Sequence, residues 1–201
     1  MRARGVEVIL ADGGSSDRTR DIATLLVDSV IECERGRAKQ MNAGAAVARG
    51  DVLLFLHADS ILPDDGDTWI EKALAVPGFQ WGRFDVSIRG AHFMFPIITW
   101  FMNHRSRLTG IATGDQGIFV TRNAFKKIGG FPDQPLMEDI EICERLKKIS
   151  PPACIAKNII TSGRRWEKHG VWRTIWLMWR LRFSYYCGTT PESIHRAYYG
   201  K

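Results

Sequence analysis

The order of apolar and polar segments along the chain predicts an α/β fold. Short apolar runs that end in polar turns predict buried strands, and they occur at Val6–Leu10, Ser29–Cys33 and Asp51–Leu56. The segments 15–26 and 37–49 between these runs predict helices. A further helix is expected near Thr68, since Thr68 and Glu71 have the spacing of a capping box. Strands that alternate with helices are typical of a mostly parallel central sheet flanked by helices.

The pattern becomes less regular after Pro77. Polar and apolar residues alternate over Arg83–Arg89, as in an edge or antiparallel strand, and the apolar segment 92–108 predicts a helix. A strand is then expected at 116–121, with helices at 122–128 and 138–149. Since neither a linker nor an internal repeat interrupts the chain, we expect a single domain over 1–201. A C-terminal helix over 171–187 is expected to belong to it.

Composition and charge narrow the class of protein only slightly. The 201 residues are 45% hydrophobic and 25% charged, as in an ordinary soluble domain. The net charge of +6 favours anionic partners, which include nucleotide phosphates, nucleic acids and acidic membranes. Neither a signal peptide nor an apolar run of about 20 residues is evident, and the four cysteines lack metal-site spacing. We therefore expect a cytoplasmic protein with reduced thiols.

Two carboxylates follow predicted strands, where open α/β sheets bind ligands. Asp12 ends the first strand and Asp59 follows the third. Each could simply close its own turn, but two of them at one edge favour a ligand site. A carboxylate there can hold Mg²⁺ together with phosphate oxygens and water. His57 is either a packed side chain, which we favour, or a ligand of a softer ion such as Mn²⁺.

A third acidic site lies at Glu138 and Asp139. Acidic residues at a helix N-terminus are stabilised by the helix dipole, which is the simplest interpretation of the pair. The pair also follows a loop rich in Gly and Pro, over 129–136. A carboxylate at such a junction is well placed to deprotonate a hydroxyl group as a general base.

Several motifs occur together in one order, and together they are far more specific than any one alone. They are Asp12–Thr19, Gly36–Gly44, Gly82–Phe84, Gly114–Gly117 and Ser162–Trp166, together with Gly50–Asp59 and with Gly129–Phe131 followed by Glu138 and Asp139. In these motifs the chain resembles family 2 glycosyltransferases from Val6 onward. It is most similar to the small bacterial group described as rSAM/selenodomain-associated, or arsenosugar-biosynthesis, glycosyltransferases.

The resemblance implies a GT-A fold and inverting transfer from a nucleotide-diphosphate sugar to a hydroxyl acceptor, with Mg²⁺ or Mn²⁺ as cofactor. By position in the motifs, Asp139 is the catalytic base and Glu138 the second candidate. Asp59 holds the metal, with His57 as an alternative ligand. The implied donor-binding residues are Asp12, Gly14, Ser15, Arg37, Asn42 and Asp59. The implied acceptor and diphosphate loops contribute Arg83, Asp115, Gln116, Arg164, Arg165 and Trp166.

The chain departs from the family at its front end. Family members open with a strand and a helix that precede the Asp12 motif, and the absent strand normally lies between the strands at 6–10 and 51–56. Its loss would leave buried backbone groups unpaired, at about 1–3 kcal/mol each, against a typical stability of about 5–15 kcal/mol. We expect that Met1 is a misassigned start and that translation begins upstream. The alternatives are that the two strands pair directly, or that the chain is a truncated, catalytically impaired fragment.

The tail allows two interpretations. Its aromatic residues recur with helical spacing on one face, comprising Trp172, Ile175, Trp176, Trp179, Phe183 and Tyr186. Arg173, Arg180 and Arg182 lie elsewhere on the same helix. The helix either packs on the domain or lies peripherally at the inner face of a membrane. A basic nucleic-acid-binding module is a more distant alternative, because the basic residues are dispersed and the motifs are acidic.

Overall fold

The computed structural model describes residues 2–200, which form strands and helices in alternation. The strands are β1 (Ile9–Asp12), β2 (Ser29–Glu32), β3 (Val52–Phe55), β4 (Ser60–Ile61), β5 (Trp81–Arg89), β6 (Ile118–Thr121) and β7 (Ala153–Ser162). The first five helices are α1 (Thr19–Thr24), α2 (Arg37–Val47), α3 (Gly66–Ala75), α4 (Phe95–Thr109) and α5 (Arg122–Lys127). The last four are α6 (Glu138–Lys147), α7 (Arg164–His169), α8 (Val171–Tyr186) and α9 (Pro191–Tyr199).

The main sheet has five strands in the order β3-β6-β5-β7-β4. Strand β6 runs antiparallel to both of its neighbours, β3 and β5, and β4 runs antiparallel to β7. Only β5 and β7 pair in parallel within this sheet. The α/β class predicted from the sequence is confirmed, but the central sheet is mixed rather than mostly parallel.

Strand β5 occupies the centre of this sheet and pairs antiparallel with β6, so of the two predicted alternatives the antiparallel strand is confirmed and the edge strand is wrong. Its alternating pattern was misleading because its charged residues are buried as a network. The guanidinium of Arg83 donates to Asp85, and Arg107 of α4 donates to the same carboxylate at 2.6 Å. Buried charges are tolerated when they are paired in this way. The polar positions of β5 therefore face helix α4 instead of solvent.

Strands β1 and β2 form a separate two-stranded parallel sheet. Helix α2 ties it to the rest of the protein, since the side-chain amide of Gln40 donates to the carbonyl of Ala11 at 2.9 Å. Within residues 2–200, β1 does not pair with β3, so these strands have not closed up on each other.

Helices cover both faces of the main sheet. On one face α2, α5, α6, α8 and α9 enclose a core that includes Trp81, Val120, Ile142 and Leu146. On the other face α3 packs over Phe84, Phe119 and Ile159. Across residues 2–200, no helix combines the length and hydrophobicity that a transmembrane span requires.

Several elements differ from the predicted ones. Strand β7 and helices α7 and α9 were not predicted. Helix α3 begins at Gly66 after Asp65, so the predicted capping box at Thr68 and Glu71 is wrong. Gly66 is suited to this start because its Cα packs closely against the side chain of Leu62.

Candidate active site

An imidazole–carboxylate pair lies just beyond the end of β3. Nδ1 of His57 is 3.3 Å from Oδ1 of Asp115, and the ring packs so tightly on Gly114 that a Cβ there would overlap it. Burial lowers the pKa of His57, but the hydrogen bond and charge of Asp115 more than offset this, so the pKa is raised. Burial likewise raises the pKa of Asp115, but His57 outweighs it and the pKa is lowered. Both shifts favour an imidazolium–carboxylate ion pair.

The carboxylate of Asp139 adjoins this pair at the start of α6. Its Oδ2 accepts the backbone N–H of Gly114 at 3.3 Å, and its Oδ1 accepts the N–H of Ile140 at 2.9 Å. The same short turn, Gly114–Gln116, thus holds Asp115 against His57 and orients Asp139. Asp139 is half-buried and keeps access to solvent.

Glu138 has a different environment from its neighbour. It is buried, and its Oε1 lies 3.2 Å from Nε of Arg37 on helix α2. Its Oε2 has no hydrogen-bond partner among the described residues. Burial, followed by the charge of Asp139, raises the pKa of Glu138 above its usual value.

Helix α6 begins after a strained residue. Met137 has φ of 66° and, within residues 2–200, is the one non-glycine residue with positive φ. This conformation costs about 1–2 kcal/mol for a residue with a side chain. The Met137 side chain is buried in the core together with Leu136 and Ile140. Core packing therefore holds the backbone in the turn that directs Glu138 and Asp139 to the site.

Asp59 stands apart from these contacts. It lies in the turn after β3, which closes through a hydrogen bond of 3.0 Å from Ser60 N to the carbonyl of His57. Its side chain is exposed and forms no ion pair with residues 2–200. This carboxylate is therefore available to a ligand, whereas His57 is engaged by Asp115.

The predicted donor-binding turn after β1 is closed by Asp12. This buried carboxylate accepts the hydroxyl of Ser15 and the backbone N–H groups of Ser15 and Gly14, at 3.0 and 3.2 Å. The hydroxyl and then these N–H groups lower the pKa of Asp12. Within residues 2–200, no hydrogen bond or ion pair joins Asp12 to Asp59 or Asp139. Asp12 thus closes its own turn, and its contact with a nucleotide stays a prediction.

Helix α2 places its two predicted donor-binding residues against the start of α6 and the loop before it. Arg37 contacts Glu138, as described above. Nδ2 of Asn42 donates to the carbonyl of Phe131 at 2.8 Å, and Phe131 N donates to Oδ1 of Asn42 at 2.9 Å. Both residues therefore brace the loop 129–136 and the start of α6.

Two residues predicted to contact the acceptor or diphosphate lie inside the protein. Arg83 is bound to Asp85 and to the carbonyl of Asn103, at 3.2 Å for the latter. Gln116 is fully buried, and its side-chain amide donates to Oγ of Ser106 at 3.0 Å. The side chain of Gln116 thus joins the turn that carries Asp115 to helix α4, and Arg83 is held between Asp85 and α4.

The motif Ser162–Trp166 opens helix α7. Arg164 is exposed, and Trp166 packs against the apolar cluster formed by α4 and α8. The guanidinium of Arg165 stacks over the ring of Tyr198 from α9, 4.0 Å from its centroid. Tyr198 was not a predicted site residue, because nothing in its local sequence distinguishes it.

Two arginines near Asp139 were also missed. The pKa of Arg105 in α4 is lowered to about 10, chiefly by burial and then by the neighbouring charge of Arg182 in α8, while Asp139 opposes the change. Neither guanidinium forms an ion pair or a hydrogen bond with residues 2–200. Folding brings these two cations together from distant segments, so sequence spacing could not indicate them.

These carboxylates and cations belong to a mixed α/β sheet with helices on both faces, which sets the fold class. Residues 2–126 match the sequence model of Glycosyl transferase family 2, and the chain belongs to this family. It is also similar to an uncharacterized glycosyltransferase of Nostoc sp., with 33% identity over 63 residues, 28% of this chain and 20% of that protein.

Solved glycosyltransferase structures share the fold. The S. aureus TarS 1–349 complex with UDP-GlcNAc has a TM-score of 0.62 at 15% identity, over 78% of this chain and 49% of that one. The mannosyltransferase PcManGT of Pyrobaculum calidifontis, in complex with GDP-Man and Mn²⁺, has a TM-score of 0.58 at 22% identity, over 95% and 59%. The chain thus spans about half to three-fifths of these proteins. The GT-A fold is confirmed.

Proposed function

We propose that the chain, acting as one glycosyltransferase domain, is an inverting enzyme that moves a sugar from a nucleotide-diphosphate donor to a hydroxyl acceptor. The observation that carries this proposal is the half-buried carboxylate of Asp139. Two backbone N–H groups orient it at the sheet edge where α/β folds bind ligands. Family membership and the solved structures with bound UDP-GlcNAc and GDP-Man support the class of donor.

In this reaction Asp139 removes the proton of the acceptor hydroxyl while its oxygen attacks the anomeric carbon. The bond from that carbon to the diphosphate oxygen breaks, and the nucleoside diphosphate departs with the electron pair. A single base is sufficient for one displacement of this kind, so no nucleophilic side chain is needed. Asp139 suits this role better than Glu138, whose carboxylate is buried against Arg37.

A divalent metal is part of the proposal, and its site was tested against the residues present. Residues 2–200 contain no group of three or more His, Cys, Asp or Glu side chains placed to hold a metal. Mg²⁺ commonly uses only one or two carboxylates and completes its shell with phosphate oxygens and water, so the exposed Asp59 fits that arrangement. The ion, when bound, would neutralise charge on the diphosphate. His57 fits less well, because its Nδ1 already faces Asp115.

A peripheral position at a membrane is the last part of the proposal. It rests on the aromatic side of α8, which the structure leaves exposed at Trp172, Trp176 and Trp179.

A donor panel tests the proposed function. Purified protein would be mixed with UDP- and GDP-sugars and Mn²⁺ or Mg²⁺, and released nucleoside diphosphate would be measured with and without candidate hydroxyl acceptors. We expect release from one donor that requires both the metal and Asp139. Donor release that is the same in Asp139→Asn as in the unmodified chain would contradict the proposal.

A further inference from the structure

Helix α8 has two apolar faces, and only one of them is covered. Val171, Thr174 and Leu181 point into the protein and are buried. Trp172, Trp176, Trp179 and Phe183 are 66–71% exposed, and Tyr186 continues the same row. A packed C-terminal helix requires only the first face, so packing on the domain does not account for the aromatic one.

Helix α4 repeats this arrangement. Phe95, Ile98 and Thr99 face inward and are buried. Trp100, Phe101 and Leu108 are 52%, 59% and 87% exposed, and Phe93 just before the helix is 73% exposed. Large apolar side chains that cluster on the surface of a soluble protein usually mark an interaction site.

The two helices lie side by side and run in the same direction. Ile98 and Met102 of α4 share an apolar cluster with Val171 and Ile175 at the start of α8. Further along the helices, Arg105 of α4 lies close enough to Arg182 of α8 for the charge of Arg182 to lower its pKa.

The exposed rows of the two helices face the same side of the protein. With 3.6 residues per turn, the exposed row of each helix lies roughly a quarter turn from the side that meets the other helix. Viewed down the helix axis, this offset is clockwise on one of the two helices and anticlockwise on the other. Two parallel neighbours with opposite offsets present their exposed rows in one direction, so the rows form a single surface, which we call the α4–α8 surface.

The charge of this surface has one sign. The 31 residues of α4 and α8 include five arginines and no acidic residue. One of the arginines, Arg180, lies 5.5 Å from the ring centroid of Trp176. Aromatic rings combined with arginines are the composition of helices that lie in the interfacial region of anionic bilayers. In a symmetric dimer through this surface, by contrast, the arginines of both copies would face each other.

We propose that the α4–α8 surface docks onto a lipid bilayer with anionic headgroups, and that the exposed Arg180, which lies against Trp176 in this surface, binds headgroup phosphate. Guanidinium groups without a protein partner are suited to phosphate oxygens. The proposal extends the membrane contact beyond the tail to a second helix and adds a headgroup site. It depends on the surface alone and not on sugar transfer.

Vesicle sedimentation tests the proposal. We expect the protein to bind vesicles of phosphatidylcholine mixed with phosphatidylglycerol, to bind pure phosphatidylcholine at least tenfold more weakly, and to be released by salt. Trp100→Glu in α4 and Trp176→Glu in α8 should each weaken binding at least tenfold. The control is Leu25→Glu just after α1, where an apolar residue that is 82% exposed lies outside the surface and binding should be unchanged.

A second set of variants tests the headgroup site. Arg180→Gln should weaken binding to the anionic vesicles roughly fivefold, the effect expected of one basic residue at such a surface. Arg20→Gln, on α1, should leave binding unchanged. Unchanged melting temperatures would show that the variants are folded.

Three results would overturn the proposal. They are equal binding to both kinds of vesicle, no effect of Trp100→Glu, and a dimer that Trp176→Glu dissociates in a chain that does not bind vesicles. Calorimetry of UDP and GDP with Mn²⁺ separates this test from the proposed function. Vesicle binding without nucleotide binding would reject the transferase alone.

Discussion

Glu138 and Asp139 show how adjacent carboxylates acquire different properties from their surroundings. Glu138 is buried against Arg37, while Asp139 is half-buried and oriented by two backbone N–H groups. Because desolvation disfavours the charged form, the buried group holds its proton more tightly. Asp139, which keeps access to solvent, is the carboxylate that an acceptor can reach.

Asp139→Asn should therefore reduce turnover by about 10²-fold or more, because the amide keeps the shape but cannot accept the proton. Donor affinity, measured by calorimetry, should be nearly unchanged. The matched control is Glu138→Gln, which removes a charge from the next residue. If Glu138→Gln lost turnover and Asp139→Asn did not, the two roles would have to be exchanged.

Asp59→Ala tests the proposed metal ligand. Its exposed side chain contributes little packing, so the melting temperature should change little. Binding of UDP or GDP should lose its dependence on Mn²⁺, since the variant lacks the carboxylate that would hold the ion. Asp51→Ala, an exposed carboxylate at the opposite end of β3, is the control. Equal metal-dependent affinity in Asp59→Ala and the unmodified chain would exclude this assignment.

The His57–Asp115 pair predicts a pH dependence of stability. The pKa of His57 is raised in the folded state, so its stabilising contribution is complete below its unfolded value and is lost as pH rises through the folded one. The pKa of Asp115 is lowered, so its contribution is lost only in acid. The difference in unfolding free energy between the unmodified chain and His57→Gln should thus shrink from pH 6 to pH 8.5. A constant difference in urea denaturation would contradict the ion pair.

The sequence indicated the acidic part of the candidate site and Arg37, but not the pair Arg105 and Arg182. Asp59, Glu138 and Asp139 lie in motifs whose spacing is recognisable, and the structure places the last two beside each other at the sheet edge. Arg105 and Arg182 belong to separate helices that only tertiary packing brings together. Local sequence carries no information about such a pair.

At the scale of elements, the pairing of β5 with β7 limits what the centre of the sheet can accommodate. A Cβ on Gly82 would overlap the carbonyl oxygen of Ala153 and approach the Phe119 ring to 2.5 Å. Backbone cannot withdraw as a flexible side chain can, so a methyl group here forces the strands apart.

Gly82→Ala should consequently destabilise the protein by about 1–3 kcal/mol or more. Gly44→Ala provides the matched control within helix α2. There the added Cβ would lie 3.9 Å from that of Ala11, an ordinary contact, and alanine should stabilise the helix by about 0.5–1 kcal/mol. Urea denaturation of both variants measures these two changes in unfolding free energy. A change of the same sign in both variants would contradict the prediction.

Strands with continuous apolar runs were predicted well, and strands with interrupted patterns were not. β3 was predicted within a residue or two of its bounds. β7 was missed because its pairing with β5 shifts between Ile155 and Asn158, and this irregularity breaks the alternation of its side chains. The central position of β5 was hidden because Arg83 and Asp85 are buried as a pair, which the polar–apolar pattern alone cannot reveal.

At the scale of the whole molecule, burial is distributed unevenly. From residue 2 to residue 37, Asp12 is the one buried residue, whereas most of β5 is buried. The sequence indicated the α/β class but not this division. The order of strands in a sheet depends on which distant segments pair, and the periodicity of the sequence carries no information on that pairing.

Amide hydrogen exchange should resolve the division. Segments with few buried contacts open at lower free energy than the core, so β1, α1 and β2 should exchange faster than β5, β6 and β7. The ratio of protection factors should exceed about 10²-fold, which corresponds to a difference of roughly 2.7 kcal/mol at 1.36 kcal/mol per factor of ten. Equal protection of both sheets, measured by mass spectrometry, would show that they open as one unit.

The left-handed turn at Met137 makes catalytic alignment depend on the interior of the protein. Burying the methionine side chain is worth about 1.5–3 kcal/mol, enough to offset the 1–2 kcal/mol or so of strain that its backbone stores. Glycine at position 137 would relieve the backbone strain but would also remove the buried side chain. This substitution therefore cannot separate the two effects. Substitutions that change the side-chain volume around Met137, such as Leu136→Ala, should therefore lower turnover as well as stability. Heating should misalign the carboxylate of Asp139 when the surrounding core loosens, below the temperature at which the sheet itself melts.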